Sequence, residues 1–245
     1  MRTRVIVGIV LLLVVGCLPG LAAAQSARMI LALGNIGFLD PMSIQAATGA
    51  EVKTDLNKFQ FKDFSVVVLA NIAFSSLPGP VQQDLVQYVT GGGALMITGG
   101  PQSFGSGGYQ AVASIIPFDI RSASDWRVTP FRPPVLIQPG HPILAGVTFI
   151  TIGTLNDMNP RADATEILQA AGGGSATGRT LGGGVVRGGG GYLYPLVAEV
   201  SVGAGDVIGI AFDLNEFAGM PDRDLFVRNT IGYLLRASQI GPPNR

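Results

Sequence analysis

The feature that most constrains the fold of this chain is a pair of short, wholly apolar runs separated by one helical stretch. Ser65-Val66-Val67-Val68-Leu69-Ala70 is continuous and β-branched, the pattern of a strand covered on both faces. Val81, Leu85, Val86 and Val89 then recur at helical spacing, Gly91-Gly92-Gly93 stops that helix, and Ala94 to Thr98 is apolar again. A strand, a helix and a strand in such close order read as a right-handed βαβ unit, so the fold class is α/β with a mainly parallel sheet.

The same alternation extends over most of the chain. Met29 to Leu33 is a first strand ending at Gly34-Asn35, Asp40 to Thr48 a helix stopped by Gly49, and Glu51 to Leu56 a more polar strand. Ser75-Ser76 is expected to cap the helix that carries Pro78 in its first turn. Gly99 to Gly108 is a glycine-rich loop, and Val112 to Ile116 a short helix. Residues 127 to 139 carry four prolines and predict an extended arm or edge strand. Glu166 to Ala170 is another strand, while residues 172 to 191 hold eleven glycines without strict period and read as a flexible surface loop. Tyr194 to Val202 and Asp206 to Phe212 form a hairpin around Gly203-Ala204-Gly205. Asp222 is placed to cap a last helix, Arg223 to Arg236, that buries Phe226, Ile231 and Leu234; the tail from Gly241 is expected to be loose.

The first 24 residues carry a different signal. Arg2 and Arg4 precede an apolar run from Val5 to Val15, Pro19-Gly20 breaks any helix, and Ala22-Ala23-Ala24 precedes Gln25. These are the three regions of a secretory signal peptide cleaved after Ala24, and the apolar run falls short of the ~20 residues a membrane span needs. Two alternatives are an uncleaved amino-terminal anchor and a lipid on Cys17, since Val14-Val15-Gly16-Cys17 is a loose lipobox. The expected destination is secreted or periplasmic. Cys17 is the only cysteine, so cleavage leaves no disulfide, thiolate metal site or cysteine nucleophile. The ~220 residues left suffice for a core held by packing alone. Sixteen basic side chains balance sixteen acidic ones without a basic block, which argues against a nucleic-acid partner.

Tyr88-Val89-Thr90-Gly91-Gly92-Gly93, the strand Ala94 to Thr98 and Gly99-Gly100 together resemble a signature passage of class I glutamine amidotransferase-like domains. The continuation from Pro101 to Tyr109 (Pro-Gln-Ser-Phe-Gly-Ser-Gly-Gly-Tyr) is similar to one subgroup, found in bacterial envelope proteins beside von Willebrand factor A modules. His141-Pro142-Ile143-Leu144, the close on Ala211-Phe212-Asp213 and the helix with Phe226-Val227-Arg228-Asn229 fit the same subgroup, over residues 28 to 236. The resemblance implies one domain, residues 25 to 240, built as a flavodoxin-like three-layer sandwich with a carboxyl-terminal hairpin and helix. In active members a Cys on the turn after the strand matching Ala94 to Thr98 attacks an amide carbonyl, and a His after the last sheet strand shuttles the proton. Here those positions read Thr98-Gly99-Gly100 and Asp213, followed by Leu214-Asn215-Glu216. The resemblance therefore implies a module without amidotransferase activity, and no cofactor.

Other residues carry candidate chemistry. His141, the only histidine, is expected to make a structural hydrogen bond and cannot alone hold zinc. Asp213 and Glu216 read first as helix-capping or loop-ordering groups, and second as an acid–base pair or the ligands of a hard cation. The glycine-rich loop lacks the phosphate-loop order and has no lysine near it. Its place at the carboxyl end of a sheet strand makes Thr98, Gly99, Gly100, Ser103, Tyr109, Asp213 and Glu216 a candidate pocket. Arg179 and Arg187, in the second glycine run, are assigned no chemistry, and Trp126 and Phe131 read as local core of the arm. Three functions follow as expectations: an envelope module binding a ligand or protein, a hydrolase using Asp213 and Glu216 with water or a metal, or an assembly domain.

Overall fold

The computed structural model describes residues 28–56, 59–128, 135–148, 152–172, 178–180, 185–186, 192–217 and 222–238. Residues 1–27 with Cys17, Phe131, Arg187 and the segment from Gly241 lie outside these residues. In chain order the elements are β1 (Met29–Gly34), α1 (Pro41–Thr48), β2 (Glu51–Lys53), β3 (Val66–Ala70), α2 (Gly79–Thr90), β4 (Ala94–Thr98), β5 (Phe118–Asp119) and β6 (Trp126–Val128). They continue with β7 (Val135–Leu136), β8 (Thr154–Asn156), β9 (Asn159–Pro160), β10 (Thr165–Gly172), β11 (Gly178–Thr180), β12 (Val185–Val186), β13 (Tyr192–Val202), β14 (Gly205–Ile210) and α3 (Arg223–Ala237).

The main sheet runs β12-β11-β7-β10-β13-β14-β4-β3-β1-β2. Its central strands, β14-β4-β3-β1 with β2 at the edge, are all parallel, and β13 turns back antiparallel along β14 to begin a second wing. Side chains alternate across β1, β3 and β4, and the two faces bury separate cores. Ile30, Val66, Val68 and Met96 meet Ile44 of α1 and Phe226, Ile231 and Leu234 of α3. On the other face, Leu31, Val67, Leu69 and Leu95 meet Val81, Leu85 and Val89 of α2. This is the expected flavodoxin-like three-layer α/β sandwich. Polar β2 occupies an edge, where a strand needs only one covered side.

Local chemistry explains where elements begin. Asp40 caps α1, its carboxylate accepting from the Met42 amide at 3.1 Å, and Gly49 closes it in the left-handed region at φ 72°. Several expectations need correction. Ser75-Ser76 does not cap α2; it belongs to a 3-10 turn, and the helix starts from Pro78 with Pro80 in its first turn, where missing amides cost nothing. Asp222 does not cap α3 either, because its carboxylate accepts the Thr148 amide at 2.6 Å and the Thr148 hydroxyl at 2.7 Å. The glycine run 172–191 is not loop throughout: it contains the end of β10 and all of β11 and β12. β7, from the proline-rich arm, lies between β10 and β11 rather than at an edge. The short helix at Val112–Ile116 is a 3-10 segment spanning Tyr109–Ile115.

Candidate functional site

The carboxyl ends of β1, β3, β4 and β14 converge, and the residues just past them form one polar cluster. Gly99 follows β4 and donates its amide to Ile210 O at 2.6 Å and Phe212 O at 3.1 Å, which seats the turn after β4 against the exit of β14. A Cβ on Gly99 would stand 2.5 Å from the Ala211 carbonyl carbon, and one on Gly100 would stand 2.1 Å from Asn71 Cγ. Glycine is required at both positions by close approach. No side chain, cysteine included, fits this elbow without displacing a neighbour.

Asp213 is 5% exposed and lies at the position that the resemblance gives to the catalytic histidine. Its Oδ2 accepts from Asn71 Nδ2 at 2.8 Å, while Oδ1 accepts the Asn215 amide at 2.8 Å and Asn215 Nδ2 at 3.0 Å. Asn215 Nδ2 also reaches Asn35 O at 2.7 Å, and Asn71 Oδ1 accepts the Gln102 amide at 2.9 Å. The carboxylate thus laces together the turns after β1, β3, β4 and β14. Asn71 does this from the left-handed region, at φ 39°, which asparagine tolerates better than most residues. Beneath it Asn156 is fully buried and pairs with Gly100 in both directions, accepting its amide at 2.9 Å and donating to its carbonyl at 3.2 Å.

The other candidate residues go elsewhere. Glu216 is exposed and accepts a hydrogen bond from the Thr154 hydroxyl, so it shares the turn with Asp213 but not its partners. Thr98 and Ser103 are fully buried, and their hydroxyls make no hydrogen bond among the described residues. Tyr109 is core: its ring packs on Phe74 and Phe104, its hydroxyl donates to Ile72 O at 3.0 Å, and burial pushes its phenol above the usual range. Among the described residues no group of three or more His, Cys, Asp and Glu is placed to hold a metal. His141 accepts the Ile143 amide on Nδ1 at 3.4 Å and sets Nε2 at 3.4 Å from Glu199, which also accepts from Tyr233 OH at 2.9 Å. That ties the turn Pro142–Leu144 to β13 and α3.

The glycine-rich loop already has its anion. Asp125, fully buried, accepts the amides of Gly105 and Ser106 at 2.9 Å each and the Ser106 hydroxyl at 2.7 Å. Sequence reasoning missed Asp125, Asn71 and Asn156. Asn71 did carry a signal, a polar residue set directly after the apolar strand β3; Asn156, at the end of the short strand β8, and Asp125, whose partners lie some twenty residues away, carried none.

The mainly parallel sheet, with its polar cluster at the carboxyl ends of β1, β3, β4 and β14 and an antiparallel wing beginning at β13, is a fold shared with solved ThuA-like proteins. Solved structures of that shape include a cytoplasmic protein of Salmonella typhimurium, with a TM-score of 0.61 at 13% identity over 84% of this chain and 98% of the other. A ThuA-like protein of Bacteroides uniformis matches with a TM-score of 0.53 at 12% identity, over 87% of this chain and 93% of its own. A β-galactosidase of Bacillus circulans matches 89% of this chain with only 32% of itself, at a TM-score of 0.51 and 13% identity, so the fold also occurs as part of a longer enzyme. What is shared at such identities is the fold. No family model matches the chain, and no curated protein matches it.

Proposed function

We propose that this chain is an exported, non-catalytic module of glutamine amidotransferase-like fold that binds a ligand or protein in the cell envelope. One observation carries the non-catalytic reading: the elbow after β4 is built around the absence of a nucleophile. A Cβ at Gly99 meets backbone rather than space, and Asp213, where a base would stand, spends both oxygens on Asn71 and Asn215. Nucleophilic catalysis needs a nucleophile and a base within hydrogen-bond reach, and the cluster offers neither. The same geometry weighs against hydrolysis by Asp213 and Glu216, since one carboxylate is bound up in a lattice of amides and the other pairs with Thr154. Export rests on the leader pattern from Arg2 to Ala24.

Purified protein supplied with glutamine should release no ammonia above the rate of an Asp213→Asn variant. Turnover that this substitution abolishes would overturn the reading. Fractionation of expressing cells tests the other half: mature protein beginning at Gln25 is expected outside the cytoplasm, and acylated Cys17 in the membrane fraction would make it lipid-anchored.

A further inference from the structure

At the opposite end of the sheet, the amino ends of β1 and β3 and the closing turns of α2 and α3 surround an open recess of about 640 Å³. That size falls within the range of small-molecule sites, roughly 300–1,000 Å³. Arg28 and Lys62 stand on its wall with Phe64, Gln87, Tyr88 and the glycine turn after α2, and no carboxylate lines it among the described residues.

The electrostatics of this wall are one-sided. Lys53, Arg121, Arg161 and Arg223 each pair with a carboxylate, whereas the Arg28 guanidinium and the Lys62 ammonium form no ion pair or hydrogen bond among the described residues. Asp63, next to Lys62 in sequence, gives its carboxylate to the Gln60 amide at 2.7 Å. Helix ends normally present free carbonyls that would favour cations. Here those carbonyls are taken. Gln87 O and Tyr88 O accept from Gly91 and Gly93 at 2.9 Å, and Val89 O and Thr90 O from Gly92 and Ala204 at 3.0 Å. In α3, Leu234 O accepts the Ser238 amide at 3.0 Å and Leu235 O the Ser238 hydroxyl at 3.1 Å. Two cations with no ion pair among the described residues therefore face a cavity whose other described walls are aromatic or neutral. The Tyr88 hydroxyl is turned away to Ala94 O at 3.1 Å and, with its phenol pushed far up by burial, adds no negative charge.

We propose that this recess binds a small molecule bearing a carboxylate or phosphate group, the anion meeting Arg28 and Lys62 and the remainder lying against Phe64 and Tyr88. The site is independent of the cluster around Asp213, so its failure leaves the non-catalytic reading intact, and ammonia release from glutamine would leave this recess untouched. Titration calorimetry on the purified full chain, with citrate and with glucose 6-phosphate, tests it; glucose and sodium chloride at matched ionic strength are the controls. Saturable binding of at least one anion is expected, and which one binds separates carboxylate from phosphate. Arg28→Gln and Lys62→Gln should each weaken it about tenfold, the loss of one charge-assisted hydrogen bond. Lys53→Gln, which removes the same charge elsewhere, should leave it unchanged. Lys62 is exposed and has no partner among the described residues, so that variant keeps the fold even if Arg28→Gln does not. Absence of binding by either anion up to about 10 mM, or equal binding by the double variant, overturns the proposal.

Discussion

Asp213 accepts three hydrogen bonds from two asparagines, and that count sets what its removal does. Asp213→Ala leaves those donors facing a void and should lower stability by about 1–3 kcal/mol, read as a shift of the urea midpoint at unchanged slope. Asp213→Asn keeps the shape and should cost less. A drop of the same size in both variants would mean that charge, not hydrogen bonding, holds the four turns together. Sequence made Asp213 visible because it closes an apolar strand and falls where a family resemblance looks for a base. It did not reveal that Asn71 and Asn215 would consume the carboxylate, since Asn71 lies 142 positions away and only folding brings it there. Ser103 and Tyr109 misled for a simpler reason. Polar residues in a glycine-rich loop look exposed, yet this loop folds inward and buries both.

At the scale of elements, legibility tracked how local the determinants are. β3 and β4 announce themselves by unbroken apolar runs, α2 by its spacing, and β13 with β14 by a glycine turn between alternating strands. β11 and β12 could not be found in a run of glycines, because strand pairing, of β11 with β7 and of β12 with β11, places them rather than intrinsic propensity. The two misplaced caps fail alike: Asp222 is recruited by Thr148, 74 residues away, and Ser75-Ser76 is displaced by prolines that start α2 later. The loop after β4 is held to the small sheet of β6 and β8 chiefly by Asp125. Asp125→Ala strands two amides and a hydroxyl and should cost about 3 kcal/mol, roughly 6–12 °C in melting temperature. A loss below 1 °C would mean that packing of Phe104 and Tyr109 orders the loop unaided.

For the whole molecule, burial of phenols and one carboxylate governs how stability varies with pH. Tyr88, Tyr109 and Tyr233 are all pushed above the ordinary tyrosine range by burial, with Glu199 adding to the effect on Tyr233. Such groups stay protonated in the fold while the unfolded chain ionises near pH 10, so stability should fall steadily from about pH 10 upward. Circular-dichroism melts should show this decline, and it should shrink in Tyr233→Phe. Glu166 works at the other end. Burial raises its carboxyl, against a smaller opposing hydrogen bond with Gln169, and Oε1 is buried with no partner among the described residues, so its contribution is full below about pH 4 and lost as pH rises through the folded-state value. Glu166→Gln should therefore raise the melting temperature near pH 7 and make no difference near pH 3. Equal shifts at both would assign the gain to packing instead.

The carboxylate in the loop after β4 behaves as a ligand that the chain carries with it. A loop of glycines with inward amides could host a visiting phosphate, but Asp125 is covalently attached some twenty residues downstream. Its effective concentration at those amides is at least millimolar, whatever the surroundings hold. Any outside anion must win against a competitor that never diffuses away. The loop thus keeps its shape without a visitor, because the group that fills it is built into the same chain.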